Sequence, residues 1–276
     1  MAPLVTILTF GAHPALAYGT LLVFKTLRVG FPTARVEVFD NGSHPEVAAA
    51  VAREAARVGA TFTALRPQHF AAYYHWQLRE RAHAGPVVLL DPDVVFWRAV
   101  EGWDFGDALL AGRLMPEGRG CGSLVNVQRL HPSLLWVPEP AGLPEGGIAP
   151  RLGFRGGIPH FWDTFADLYQ AHAGQCVAFD AAQLDAYDHL FHGTHLPVMD
   201  TGDDVIRRAH LAAARGDLGA LRGLWREQDE HFRAVRATAA PPIGPARAIQ
   251  AWQGLAFSDA DLGAGLATLH ERLTSR

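Results

Sequence analysis

The sequence predicts an α/β fold in which helices flank a mostly parallel sheet, followed by a second lobe and a closing C-terminal helix. Three observations carry this expectation. Short runs of Val, Ile, Leu and Thr alternate with segments of helical period from residue 4 to about residue 100. One run, Val87-Val88-Leu89-Leu90, is apolar at every position, as a strand buried on both faces must be. Acidic residues stand where strands end, the place at which open α/β sheets bind their ligands.

In chain order, Leu4 to Phe10 reads as the first strand. Pro14 to Arg28 carries apolar residues at helical spacing, and Pro14 suits a first turn, where a missing N–H removes no hydrogen bond. Ala34 to Ser43 follows as a strand with alternating Val36 and Val38, closed by the turn Asp40-Asn41-Gly42-Ser43. Ala60 to Leu65 makes a third brief strand, and Gln68 to His83 a helix rich in aromatics and Arg. Strands joined in this order by right-handed crossovers form a parallel half-domain.

The apolar strand at Val87 ends in Leu90-Asp91-Pro92-Asp93-Val94. Two carboxylates one residue apart at the edge of a buried sheet repel each other, so a divalent cation is the simplest reason to keep them together. The alternative is a loop with two solvated acids. The acid-bearing turn at Asp40, about fifty residues upstream, favours the cation.

These two motifs, Phe39-Asp40-Asn41-Gly42-Ser43 and Leu90-Asp91-Pro92-Asp93-Val94, resemble in order and spacing those of the GT-A fold glycosyltransferases, Rossmann-type enzymes whose first half binds a nucleotide sugar. The resemblance covers residues 4 to about 100. It implies a nucleotide-sugar-binding half at 1–100, an acceptor-side half at 101–237, and a linker with a core-packed C-terminal helix at 238–276. It also implies Mn²⁺ or Mg²⁺ held through Asp91 and Asp93, with Phe10, Asp40, Asn41 and Asp91 around the nucleotide and Asp40 at its base or ribose. In the family a histidine from the C-terminal half often joins the metal. Here the stretch Ala248 to Gly254 offers Gln where it is expected, which turns attention to His192 and His195, with His195 assigned. Otherwise diphosphate oxygens and water complete the site, as a hard cation permits.

Composition fits a folded enzyme. With 276 residues and 49% hydrophobic content, the chain can bury a large core. A formal net charge of −4, without long runs of one sign, gives no footing for nucleic acid, so an anionic nucleotide needs a local device such as a metal. Cys121 and Cys176 are too few for a disulfide framework, which fits a reducing cytoplasm. Residues 2–24 lack a charge, but no Lys or Arg precedes them and Gly11-Ala12-His13-Pro14 interrupts the run. They read as strand plus helix, not a transmembrane segment. Lys25 is the only lysine among 24 basic side chains, in keeping with a GC-rich bacterial coding bias.

Beyond residue 95 the sequence predicts a turn and short helix over Phe96 to Gly106, a strand over Ala108 to Leu114, and two strands within Ser123 to Val137 flanking His131-Pro132. The Gly/Pro-dense stretches 116–122 and 138–159 read as lid or binding loops. Phe179 to Leu196 carries Asp180, Asp185 and Asp188 with His189, His192 and His195. On a helix ended by Gly193, Asp188 and His192 would share a face. Among 14 histidines such clustering also arises by chance, and a packing role is weighed against a metal one. Asp203 to Arg236 reads as mostly helical, with Trp225 and Phe232 in the core. Thr238 to Pro245 is a linker, and Asp259 to Leu273 a closing helix with Leu262, Leu266, Leu269 and Leu273 on one face.

What the resemblance implies is transfer of a sugar from a nucleoside diphosphate to the hydroxyl of an unknown glycan, lipid or protein acceptor, with Asp180, Asp185 and Asp188 as candidates for the base. Two rivals remain at the level of sequence. A haloacid-dehalogenase-type phosphatase also uses an apolar strand ending Asp-x-Asp, and Gly202-Asp203-Asp204 could supply its late acids, but that chemistry wants a lysine and none follows Lys25. A non-catalytic nucleotide-binding protein of the same fold is allowed by the long Gly/Pro loops.

Overall fold

The computed structural model describes residues 2–11, 17–119, 125–156, 158–189 and most of 208–227. The alternation read in the first half appears as β1 (Leu4–Thr9), α1 (Ala17–Gly30), β2 (Arg35–Asp40), α2 (Pro45–Arg57), β3 (Thr61–Ala64) and α3 (Phe70–His75). A π-helical turn, Trp76–Glu80, leads to β4 (Val87–Leu90) and β5 (Val94–Phe96). The chain continues through β6 (Leu110–Met115), β7 (Gly118–Arg119), β8 (Val125–Asn126), β9 (Arg129–Val137), β10 (Arg151–Arg155) and β11 (Ile158–Trp162). Then come α4 (Ala166–His172), β12 (Cys176–Ala178), α5 (Ala181–Leu184) and β13 (Tyr187–His189).

A seven-stranded sheet in the order β12-β6-β9-β4-β1-β2-β3 forms the centre, with β9 alone running against the other strands. It takes strands from both sides of residue 100. β1 pairs in parallel with β2 on one side and β4 on the other, so the chain order reverses at β1. That reversal opens a crevice at the carboxyl ends of β1 and β4. Because successive side chains of a strand point to opposite faces, β4 feeds two cores at once. Val88 and Leu90 join Val5, Ile7, Leu27 and Val51 under α1 and α2. Val87 and Leu89 join Tyr73, Trp76, Leu135 and Phe165 on the other face.

The structure departs from the sequence expectations at several elements. The helix α2 is an element the sequence expectations do not include: His44 accepts the Glu46 amide, Pro45 opens the first turn, and Val47, Val51 and Ala55 recur four apart and are buried. The helix expected over Gln68 to His83 ends at Glu80. Phe96 to Gly106 holds no helix, because the amides of Val100 and Glu101 are spent on the Gly30 carbonyl and that of Phe96 on Thr26 Oγ1. His131-Pro132 does not divide two strands but lies inside the single bulged strand β9. The stretch 138–159 is not all loop: β10 pairs with β11 as an antiparallel hairpin.

The helix expected around Asp188 is likewise replaced by a short strand, β13, which pairs with β5 and sinks Tyr187 against Phe96 and Phe179. Helical residues within 208–227 lay Ala209, Ala212, Leu221 and Leu224 on Leu22 and Val95. Among the described residues no helix is long and apolar enough to cross a membrane. Cys121, Asp203, Asp204, Trp225, Phe232, the linker and the closing helix lie outside the described residues.

Candidate metal centre

Asp91, Asp93 and His189 bring one ligand atom each to within 4.8 Å of one another. The acids are fixed by the turn that carries them. The Asp91 amide donates to the Ser133 carbonyl of β9 at 2.9 Å, and the Pro92 carbonyl accepts the Val23 amide of α1 at 2.8 Å. Asp93 is 3% exposed, whereas the Asp91 side chain keeps 26% of its surface. β13 supplies the third group by pairing with β5, which sets His189 opposite Val94. His189 Nε2 then lies 3.1 Å from Asp93 Oδ1 and 3.8 Å from Asp91 Oδ2.

This arrangement changes the acidity of its members. Burial, and after it the charge of Asp93, pushes the Asp91 carboxyl up to about 7 against the pull of His189. Burial alone would lower the His189 imidazole, but the charge and hydrogen bond of Asp93, with Asp91 behind them, outweigh it and raise the pKa. Asp91 and His189 therefore both hold their protons more tightly than free side chains do, and those protons offset the charge of the buried acids. Two carboxylates and an imidazole around one point also suit a small divalent cation such as Mn²⁺ or Mg²⁺, which takes oxygen ligands and, for Mn²⁺, tolerates nitrogen. Beside them Tyr74 is buried, and burial followed by the charge of Asp91 drives its phenol well above the usual range. It stays a hydroxyl donor at neutral pH.

Asp40 is 1% exposed, and both its oxygens are engaged within the protein: Oδ1 accepts from Thr9 Oγ1 at 3.0 Å and Ser43 Oγ at 2.5 Å, and Oδ2 accepts the Ser43 amide at 3.0 Å. Ser43 Oγ in turn accepts the Gly11 amide at 2.9 Å. Asp40 thus braces the turn beside β1, where the sequence reading set it on a base or ribose. Gly42 allows that turn, since its φ of 77° is left-handed and a Cβ would run into Pro67. Asn41 exchanges two hydrogen bonds with the backbone of Gln68, at 2.8 and 3.1 Å, tying the loop after β3 to that after β2. Phe10, 40% exposed at the carboxyl end of β1, remains open to a ligand at the crevice. Replacing Asp40 with Asn should cost roughly 1.5–3 kcal/mol of stability, because one charged acceptor of a buried set is lost. Denaturant unfolding measures it, and unchanged stability would free Asp40 for a ligand-binding role.

The three candidate bases have other engagements. Exposed Asp180 caps α5, accepting the Gln183 amide at 2.8 Å while the Gln183 side chain accepts the Asp180 amide. Asp185 pairs with Arg98 on the surface. Asp188 precedes His189 in a strand and so faces the opposite way, where it accepts from Trp97 Nε1 at 2.7 Å. His192 and His195 lie outside the described residues. His189 stood in the same histidine cluster but had no local signal to single it out. Only the pairing of β13 with β5, across some ninety residues of sequence, brings it to the acids.

No protein-family model and no curated protein matches the chain. Solved structures similar to it include glycosyltransferases of the GT-A type. A galactosyltransferase, LgtC, in complex with donor and acceptor sugar analogs, is 18% identical with a TM-score of 0.36, the match covering 50% of this chain and 58% of that one. The glycosyltransferase GlyE of Streptococcus pneumoniae is 12% identical with a TM-score of 0.41, over 64% of this chain and 46% of its own. This chain thus spans little more than half the length of the first and under half that of the second. A mannosyltransferase from Pyrobaculum calidifontis, in complex with GDP-Man and Mn²⁺, is 14% identical with a TM-score of 0.43, over 97% of this chain and 85% of its own.

Proposed function

We propose that this protein transfers a glycosyl group from a nucleoside-diphosphate sugar to an acceptor hydroxyl, using a divalent cation held by Asp91, Asp93 and His189. The observation that supports this reading is the convergence of the three side chains at the carboxyl ends of β1 and β4, where the strand order reverses. Breaking the bond between the anomeric carbon and the diphosphate places growing negative charge on the leaving group and oxocarbenium character on the sugar. When bound, the cation would supply the charge that stabilises that leaving group.

The chain's own residues prepare the site for this. Asp93 and His189 are both buried and held against each other, so they offer ligand atoms without rearrangement. Asp91, partly exposed, stands on the side open to the diphosphate and gives up its proton when the site is loaded. Exposed Phe10 offers a surface to the nucleotide across the crevice.

A nucleoside diphosphate with Mn²⁺ should stabilise the fold by about 2.7 kcal/mol at a hundred times its Kd, because it binds only the native state. A thermal-shift series of nucleoside diphosphates, with and without Mn²⁺, measures this. No shift with any of them would sink the donor-site reading. A shift without sugar turnover would leave a binding protein of the same fold. Hydrolysis of an aryl phosphate with Mg²⁺ and no nucleotide would favour the phosphatase, against which stands the lack of a lysine after Lys25.

A further inference from the structure

His189 comes from a short element. β13 has three residues and, among the described residues, pairs only with β5, so its backbone alone does little to fix the orientation of an imidazole ring. The group that meets this ring comes from β9, at the one place where that strand breaks its pairing. Against β6, Gly112 faces Leu135, but the next residue, Arg113, faces His131, so Pro132, Ser133 and Leu134 form an extra stretch in β9. Pro132 has no amide for a ladder, and such an irregularity is where a strand inside a sheet accepts proline. Irregularities of this kind re-aim the side chains beside them.

Here the side chain beside the bulge is His131, whose ring centroid lies 4.9 Å from that of His189 with the planes inclined at 49°. Ser133 links it to the acids. The Ser133 amide donates to His131 Nδ1 at 3.1 Å, while its carbonyl accepts the amide of Asp91 at 2.9 Å. The first bond needs a lone pair on Nδ1, which assigns the ring proton of His131 to Nε2. His131 is thereby held to the same backbone segment that fixes the turn bearing Asp91 and Asp93.

We infer that His131 is a positioning residue for the metal centre: its ring, aimed by the bulge in β9, is the wall that sets the His189 imidazole with Nε2 toward the two acids. This rests on the metal-site reading above. Groups that orient a ligating histidine change metal affinity by about 10- to 100-fold when they are removed, and His131 does so by ring contact.

The test is Mn²⁺ binding to the full chain without nucleotide, read by electron paramagnetic resonance, with the melting temperature of each metal-free variant taken alongside. His131→Ala should weaken Mn²⁺ by at least about tenfold, while His131→Phe, which restores a flat ring, should stay within about threefold of the parent. Parental affinity in His131→Ala, even with a lowered melting temperature, would overturn the inference and leave a purely structural role. So would a Phe variant as weak as the Ala variant, since ring contact would then not be the cause. Asp93→Asn separates the two levels. If it and the parent bind Mn²⁺ equally, or the parent binds none, the metal centre itself fails and this inference with it.

Discussion

Replacing Asp93 with Asn should lower donor hydrolysis and sugar transfer by at least about a hundredfold, a loss of roughly 2.7 kcal/mol of transition-state stabilisation. The size follows from position. Asp93 is nearly inaccessible and 3.1 Å from His189 Nε2, so the variant removes a ligand charge and the chief attraction that raises the His189 pKa together. Asp91→Asn should act in the same direction but less severely. Its carboxyl is pushed up to about 7 in the metal-free protein, so part of what it contributes as a ligand is offset by the cost of releasing that proton when the cation binds. Steady-state kinetics with a nucleotide-sugar panel over a range of Mn²⁺ would measure both. Full activity in the two variants at limiting metal would remove the centre from the mechanism.

The parts legible in the sequence were those that local pattern controls. The run Val87 to Leu90 announced a strand buried on both faces because burial forbids polar side chains along it, and the sheet accordingly places β4 between β1 and β9. Asp91 and Asp93 were legible for the same reason, as charges that interrupt an apolar strand. The signals for α2 were equally local, a cap at His44, Pro45 in the first turn and the stripe of Val47, Val51 and Ala55.

Other features depended on distant partners. Pro132 suggested a break between strands, but β4 and β6 bind β9 on either side of it and absorb the irregularity as a bulge. Asp40 looked like a ligand-binding acid because its donors, Thr9 and Ser43, are identified only once β1 and the turn are packed together. His189 was one of several histidines until the pairing of β13 with β5 selected it. Its neighbour Asp188, expected to share a helix face with His192, faces away for the plain reason that a strand alternates.

Replacing His189 with Ala should raise the Mn²⁺ concentration for half-maximal activity by about tenfold or more, equivalent to about 1.4 kcal/mol of binding. The pH dependence makes the expectation more specific. An acid whose folded pKa is raised binds its proton more tightly in the folded than in the unfolded chain, so ionising Asp91 costs stability as pH rises from about 3.8 toward about 7. His189, also raised, stabilises the metal-free fold while protonated and ceases to do so as pH climbs through its folded pKa. Both effects weaken the metal-free protein in the same direction, and a bound cation replaces both protons. The gain in melting temperature from Mn²⁺ should therefore be larger at pH 8 than at pH 6. Without His189, Asp91 loses the attraction that opposes its upward shift, so its proton should persist to higher pH and the metal requirement should move upward with it. Titrating Mn²⁺ against activity and melting temperature at both pH values would check this. An unchanged metal midpoint in the Ala variant would pass the third position to His195 or to diphosphate and water, and His189 would then be a buried partner of Asp93 with no ligand role.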